Sequence, residues 1–186
     1  PTATEIPILR DRKVGVIHNP TSNMKIASGI APVADMLAAG VRVGLGTDGA
    51  ASNNDLDMWE EMRLAAFLQK VDRMDPEALP ATTVLSMATS GGATAIGLGD
   101  SIGSLEPGKQ ADLIQVAFED VHHVPTYDVI SHLVYVTDEQ DVASVVVDGK
   151  VLMKEREMLT IDTERVASEA RSLAARIQAA LTARNE

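Results

Sequence analysis

Asp48 is the residue of this sequence whose type and setting point most directly to chemistry. It follows an apolar run at 41–45, in which Val41, Val43 and Leu45 alternate, and stands between Thr47 and Gly49. A carboxylate at the end of a buried strand can face a pocket, and Gly46 and Gly49 leave room for backbone and ligand to approach closely. The same position suits an aspartate that only caps a turn or the next helix. Spacing alone leaves both readings open. His18 closes a second apolar, β-branched run at 14–17, and an imidazole there is either a substrate contact or a hydrogen-bonded wall residue. The chain has no cysteine, so any metal has to be held by carboxylates and by the four histidines. His122 and His123 lie in a loop beside Pro125, and His132 opens a β-like run. Structural or solvated roles are the expectation for these three.

What lies between His18 and Asp48 decides whether they meet. The run at 14–17 reads as a strand, and the turn-prone Asn19, Pro20, Thr21, Ser22 and Asn23 follow it as a loop. Ile30, Val33, Ala34 and Leu37 then recur at helical spacing, with Gly40 where a helix C-terminal glycine belongs. Strand, helix and strand with short connections form a βαβ unit, whose parallel strands present their carboxyl-end loops along one edge. His18 and Asp48 are therefore expected on the same edge. Leu64, Phe67, Leu68 and Val71 predict a covering helix, and Ser52, Asn53 and Asn54 offer capping oxygens ahead of it. Met58, Trp59 and Met62 on that helix read as packing, and Asp55, Asp57, Glu60 and Glu61 suit its positive end.

A further helix is expected over 82–98. Beyond Pro107 and Gly108 the pattern changes to short β runs at 113–118, 132–136, 142–147 and 151–153, with Asp148-Gly149 as a hairpin signal. These predict a small β domain. Residues 162–184 carry Val166, Ala170, Leu173 and Ile177 on one face and predict an amphipathic helix.

Composition narrows the function. With 186 residues, 45% of them hydrophobic, the chain can bury a core. It is shorter than the roughly 250 residues of a complete (β/α)₈ barrel. A net charge of −11 repels phosphate backbones and argues against nucleic acid as a partner. No apolar run approaches the roughly 20 residues of a membrane span, and the first residues hold no signal-peptide core. No membrane partner and a cytoplasmic location are expected. The segment GSLEPGK at 103–109 copies phosphate-loop spacing, but Gln110 replaces the metal-binding hydroxyl and Pro107 lacks an N–H, which excludes a nucleoside triphosphate site.

Three segments, HNPTSNMKIASGIAPV, GLGTDGAASNNDLDMWEEMRLA and IGSLEPGKQADLI, resemble the C-terminal half of the amidohydrolase superfamily. The strongest likeness is to its 5′-methylthioadenosine and S-adenosylhomocysteine deaminases, with chlorohydrolases and guanine deaminases as neighbouring branches. The resemblance implies an α/β fold: the C-terminal portion of a metal-dependent (β/α)₈ TIM barrel over 1–106, part of a small β-sandwich over 107–160, and a C-terminal helix over 161–186. It implies that Asp48 binds a single divalent metal, Zn²⁺ or else Fe²⁺, and accepts a proton from the attacking water. It also implies substrate contacts at His18, Asn23 and Ser52, and a purine nucleoside or related N-heterocycle as substrate.

The implied reaction is hydrolytic deamination. The alternatives are an s-triazine chlorohydrolase or aminohydrolase, a guanine deaminase-like enzyme, and, from another class, a catalytically silent fragment that self-associates. The sequence departs from the family in having no H-x-H pair, no further metal histidine and no glutamate and histidine acid/base couple. It offers no counterpart to the first six barrel strands. One ligand falls short of the roughly three protein ligands of a catalytic zinc. The expectation is a chain inactive alone that forms a homo-oligomer through exposed strand edges.

Overall fold

The computed structural model describes residues 1–184. Helix α1 (Ile6–Asp11) leads into β1 (Gly15–His18), and Pro20, whose missing N–H costs nothing at a first helical turn, starts α2 (Pro20–Lys25) directly after it. Helix α3 (Val33–Ala38) returns the chain to β2 (Arg42–Leu45), which pairs in parallel with β1 so that His18 lies opposite Leu45. Helix α4 (Met58–Arg73) begins at Asp57, whose carboxylate accepts the N–H groups of Trp59 and Glu60 at 2.8 and 3.1 Å. Helices α5 (Ala81–Ala88) and α6 (Ser90–Ala95) follow, then β3 (Leu113–Val116), α7 (Val129–Tyr135), the strands β4 (Val142–Val147), β5 (Lys150–Lys154) and β6 (Glu157–Met158), and α8 (Thr163–Arg184).

The core forms where α3, α4, α5 and α7 close on one side of β2. Val33, Met36, Val43, Met62, Ala65, Val84, Met87 and Val134 are almost wholly removed from water there. Helix α6 covers the strand pair by backbone approach. A Cβ on Gly15 would stand 1.7 Å from the Ala95 carbonyl oxygen, and one on Gly44 would stand 2.8 Å from the Gly92 Cα. Glycine at both positions is what lets the helix lie so near the strands.

Strands β3 to β6 form an antiparallel sheet in the order β3-β4-β5-β6, and Asp148 and Gly149, at φ +50° and +72°, make the predicted hairpin turn. Between this sheet and the β1–β2 pair lies an open apolar cleft of about 580 Å³, lined in part by Ile17, Leu45, Ile96, Ile114 and Val145. No helix among the described residues is long and apolar enough to cross a membrane.

Three expectations change. The stretch expected as a loop after β1 is largely α2. The single helix over 82–98 is two, broken at Thr89, whose φ of −125° and ψ of −106° leave the helical region. The run expected as a strand at 132–136 belongs to α7: Asp128 accepts the Ser131 N–H as a helix cap, and Val134 and Tyr135 are drawn onto α4 and α5. A short apolar run does not by itself distinguish a buried strand from a buried helical turn. On α8, Val166, Leu173 and Ile177 form the predicted apolar face, and each is half exposed.

Candidate active site

The parallel ladder continues one step past the strands, because the Gly46 N–H donates to the His18 carbonyl at 3.0 Å. This fixes the loop that carries Asp48 beside the end of β1. Asp48 has a φ of +61°, and Asn54 and Leu56 on the same loop have φ of +93° and +63°. Side-chain-bearing residues adopt this region only when their surroundings enforce it, and such strain collects at functional sites.

The enforcement is visible at the carboxylate. The Gly49 N–H donates to Asp48 Oδ1 at 2.8 Å, and the hydroxyls of Ser22 and Ser52 each donate to Oδ2 at 2.8 Å. Ser52, then Ser22, then the Gly49 N–H hold the Asp48 carboxyl below its ordinary pKa. Asp48 is thus a solvent-accessible anion at neutral pH. Ser22 is buried on α2, while Ser52 lies four residues along the Asp48 loop. Lys25 Nζ on α2 donates to the Ala51 carbonyl at 3.3 Å and to Asn54 Oδ1, tying the two loops together a second time.

A buried strut lies beneath them. Glu61, on the first turn of α4 and fully buried, accepts the Thr21 N–H at Oε2 (3.2 Å) and Asn53 Nδ2 at Oε1 (2.6 Å). Burial raises its pKa, opposed by the hydrogen bonds from Thr21 and Asn53. The helix-end role read from sequence for Glu61 is therefore incomplete, since one side chain links α2, the loop after β2 and the helix that covers both.

His18 is 3% exposed, and neither ring nitrogen has a hydrogen-bond partner among the described residues. Burial pushes its pKa down to about 4, which makes it a neutral imidazole at pH 7. Asn23 follows Ser22 on α2, half-buried, and its side chain makes no hydrogen bond among the described residues. Of the residues singled out from sequence, Ser52 touches Asp48, while His18 and Asn23 lie on the segment that delivers Ser22. Ser22 was missed, although it stands inside the quoted HNPTSN segment. Its small size and turn-prone neighbours read only as loop.

The donor set falls short of a complete metal site. Asp48 offers one carboxylate, and among the described residues it belongs to no group of three His, Cys, Asp or Glu side chains close enough to share an ion. An ion bound at Asp48 needs donors from outside these residues.

The model of the amidohydrolase family matches residues 1–152. A 5-methylthioadenosine/S-adenosylhomocysteine deaminase of Desulforudis audaxviator is 57% identical over 173 residues, covering 93% of this chain and 40% of that protein. The crystal structure of an adenosine deaminase from Xanthomonas campestris with bound zinc superposes with a TM-score of 0.93 at 44% identity, over 96% of this chain and 41% of that one. An atrazine chlorohydrolase from Arthrobacter aurescens, complexed with zinc, superposes with a TM-score of 0.86 at 33% identity, over 93% of this chain and 38% of that one. The chain thus spans about two-fifths of the length of the proteins it matches, and its α/β architecture is part of their TIM-barrel fold.

Proposed function

Because the chain belongs to the amidohydrolase family, we propose that it is the C-terminal part of a hydrolase that removes the amino group of an adenosine-type nucleoside, and that Asp48 is its contribution to the chemistry. The observation that carries this reading is the Asp48 carboxylate, exposed at the carboxyl edge of parallel strands and aimed by Ser22, Ser52 and the Gly49 N–H. A carboxylate held ionised in this way is fit to ligate a cation, and the proton-accepting role proposed for it would depend on the water being activated by that cation.

In the whole protein Asp48 contributes one ligand to a divalent metal, zinc by analogy with the zinc-bound relatives, and the remaining donors come from segments this chain does not contain. The metal supplies a bound water whose pKa is lowered to about 7. The chain's own residues do the rest of what can be assigned here. Ser22 and Ser52 both donate to Oδ2 and fix the rotamer of the Asp48 carboxylate, leaving Oδ1, which accepts only the Gly49 N–H, to hold a cation. Neutral His18 lines the wall next to the substrate ring, and Asn23 borders the mouth on α2. The domain division proposed is 1–106, 107–160 and 161–186. The exposed Ile17, Ile114 and Val147 along the cleft favour a homo-oligomer for the isolated chain.

The test is complementation. The chain is mixed with the N-terminal remainder of the Desulforudis relative, ammonia release is followed from 5′-methylthioadenosine, S-adenosylhomocysteine and guanine, and both chloride and ammonia release are followed from a chloro-s-triazine. The expected result is nucleoside deamination by the mixture and none by either part alone. Triazine turnover without nucleoside turnover would instead favour the chlorohydrolase reading, for which the 33% identity to the Arthrobacter enzyme speaks. A correctly folded mixture inactive on every compound would leave a self-associating, silent chain as the better description.

A further inference from the structure

Far along the chain from Asp48, two short 3₁₀ turns face each other. Val121–His123 follows Asp120, and Glu139–Asp141 runs into β4. They bring His122, His123 and Asp141 together, with one ligating atom from each lying within 4.8 Å of the others. His122 Nε2 stands 3.1 and 3.2 Å from the two Asp141 oxygens, and His123 Nε2 stands 3.1 Å from Oδ2.

Asp141 is already oriented. Its Oδ2 accepts the Asp138 N–H at 3.0 Å, and the Asp138 carboxylate caps the same turn in return. His123 is not satisfied in the same way: it is fully buried, yet neither ring nitrogen makes a hydrogen bond of acceptable geometry, although Nε2 lies within reach of the carboxylate. Buried polar groups are nearly always paired, and an imidazole nitrogen that points at a carboxylate without bonding to it calls for a specific explanation. Phe118, with ring centroids 4.5 Å apart, and His132 at 5.0 Å pack against the His123 ring, so it cannot swing out to water without disturbing both.

We propose that His122, His123 and Asp141 form a divalent transition-metal site, with zinc the ion their donors suit, separate from the Asp48 edge. Two imidazoles and a carboxylate are a common three-donor zinc set that leaves a fourth position for water. The buried His123 Nε2, left without a hydrogen bond, then has a partner. The N–H group of Asp138 serves as the outer contact that fixes the ligating carboxylate. His122, with 43% of its side chain exposed, is the side from which the ion reaches the buried pair. The ion would join the turn after β3 to the turn before β4. Its effect is therefore on the stability of the β-sheet region, and the inference does not depend on the proposed deaminase function.

The test uses the whole chain, stripped with a chelator and titrated with Zn²⁺, in three forms: unchanged, His122→Asn and Asp48→Asn. Metal content after dialysis and Tm are read for each, with circular dichroism to establish folding. His122 is exposed enough for the asparagine variant to fold. The expected result is about one zinc per chain with a rise in Tm for the unchanged protein and for Asp48→Asn, with both lost in His122→Asn. A ¹H–¹³C spectrum of the unchanged protein supplies a readout free of folding effects: zinc shifts the Cε1 resonances of His122 and His123 and leaves His18 in place. Absence of zinc from the unchanged protein, retention by His122→Asn, loss in Asp48→Asn, or a shift of His18 alone would each overturn the proposal.

Discussion

Asp48 and Asp141 are the same side chain in opposite settings. Asp48 lies in the open on a strained loop, and its three donors are two hydroxyls and a backbone N–H, with no imidazole among them. Asp141 is buried between two imidazoles with its rotamer fixed by a capping box. Burial tends to raise the Asp141 pKa, but the Asp138 N–H and the two histidines outweigh it and the net shift is downward. At Asp48 the downward shift comes from hydrogen bonds alone. Both residues are therefore anions at neutral pH, for different reasons. The difference teaches that ionisation does not identify a role. The company of the carboxylate does: Asp48 is positioned with no imidazole beside it, whereas Asp141 has two histidines within its own neighbourhood.

The largest effect that could break this contrast is on turnover. In the complemented enzyme, Asp48→Asn would remove the proposed proton acceptor and should lower kcat by about 10²- to 10⁴-fold, the usual range for a general base. Asp141→Ala should change kcat by no more than a few-fold, while lowering Tm through loss of the Asp138 capping contact, a change of about 1 kcal/mol. Steady-state ammonia release together with thermal melts of both variants decides it. Equal losses of kcat in the two variants would mean that the carboxylates do not divide the work in this way.

How much of this was legible beforehand follows from how local each signal is. Alternation at 41–45 and helical spacing from Ile30 to Leu37 placed β2 and α3, and these fixed His18 and Asp48 on one edge, because a βαβ unit allows little else. The 132–136 run misled because its direction was settled by Asp128 and by packing on α4 and α5, which lie far away in sequence. Glu61 and Ser22 were invisible for the same reason. Glu61 matters because Thr21, 40 residues away, donates to it, and Ser22 because Asp48, 26 residues away, accepts from it. Periodicity reports which face is apolar, but it does not report which polar atoms a fold will bring together. The His122, His123 and Asp141 cluster was unreadable too, since its turns are joined through α7, a helix the sequence presented as a strand.

A second prediction separates the two regions by pH. His18 has a folded pKa of about 4 against an ordinary 6.5, so between these values the unfolded chain binds a proton that the folded chain does not. Its contribution is fully present above about pH 6.5 and is lost as the pH falls towards 4. The span corresponds to at most roughly 3 kcal/mol. Asp48, whose folded pKa is also lowered, adds stability above its ordinary 3.8 that is lost only on further acidification. Urea melts from pH 7.5 to 4.5 should show stability falling with acid in the unchanged protein and a flatter profile in His18→Gln. An unchanged slope in that variant would mean that the burial of His18 does not set the acid sensitivity.

The smallest effect probes how Asp48 is aimed. Ser52 is the strongest of the three influences that lower its pKa and Ser22 the next, so Ser52→Ala should move the carboxyl furthest back towards its ordinary value and Ser22→Ala somewhat less. Both hydroxyls donate to Oδ2, which leaves the Gly49 N–H holding Oδ1 in either variant, and neither change should release the loop completely. A carbon-detected titration of the Asp48 carboxyl measures both shifts directly. Because Ser22 arrives on α2 and Ser52 on the Asp48 loop, a shift in Ser52→Ala alone would mean that the loop orders its own carboxylate. A shift in both would mean that α2, and with it the His18 strand, takes part in preparing Asp48 for a ligand.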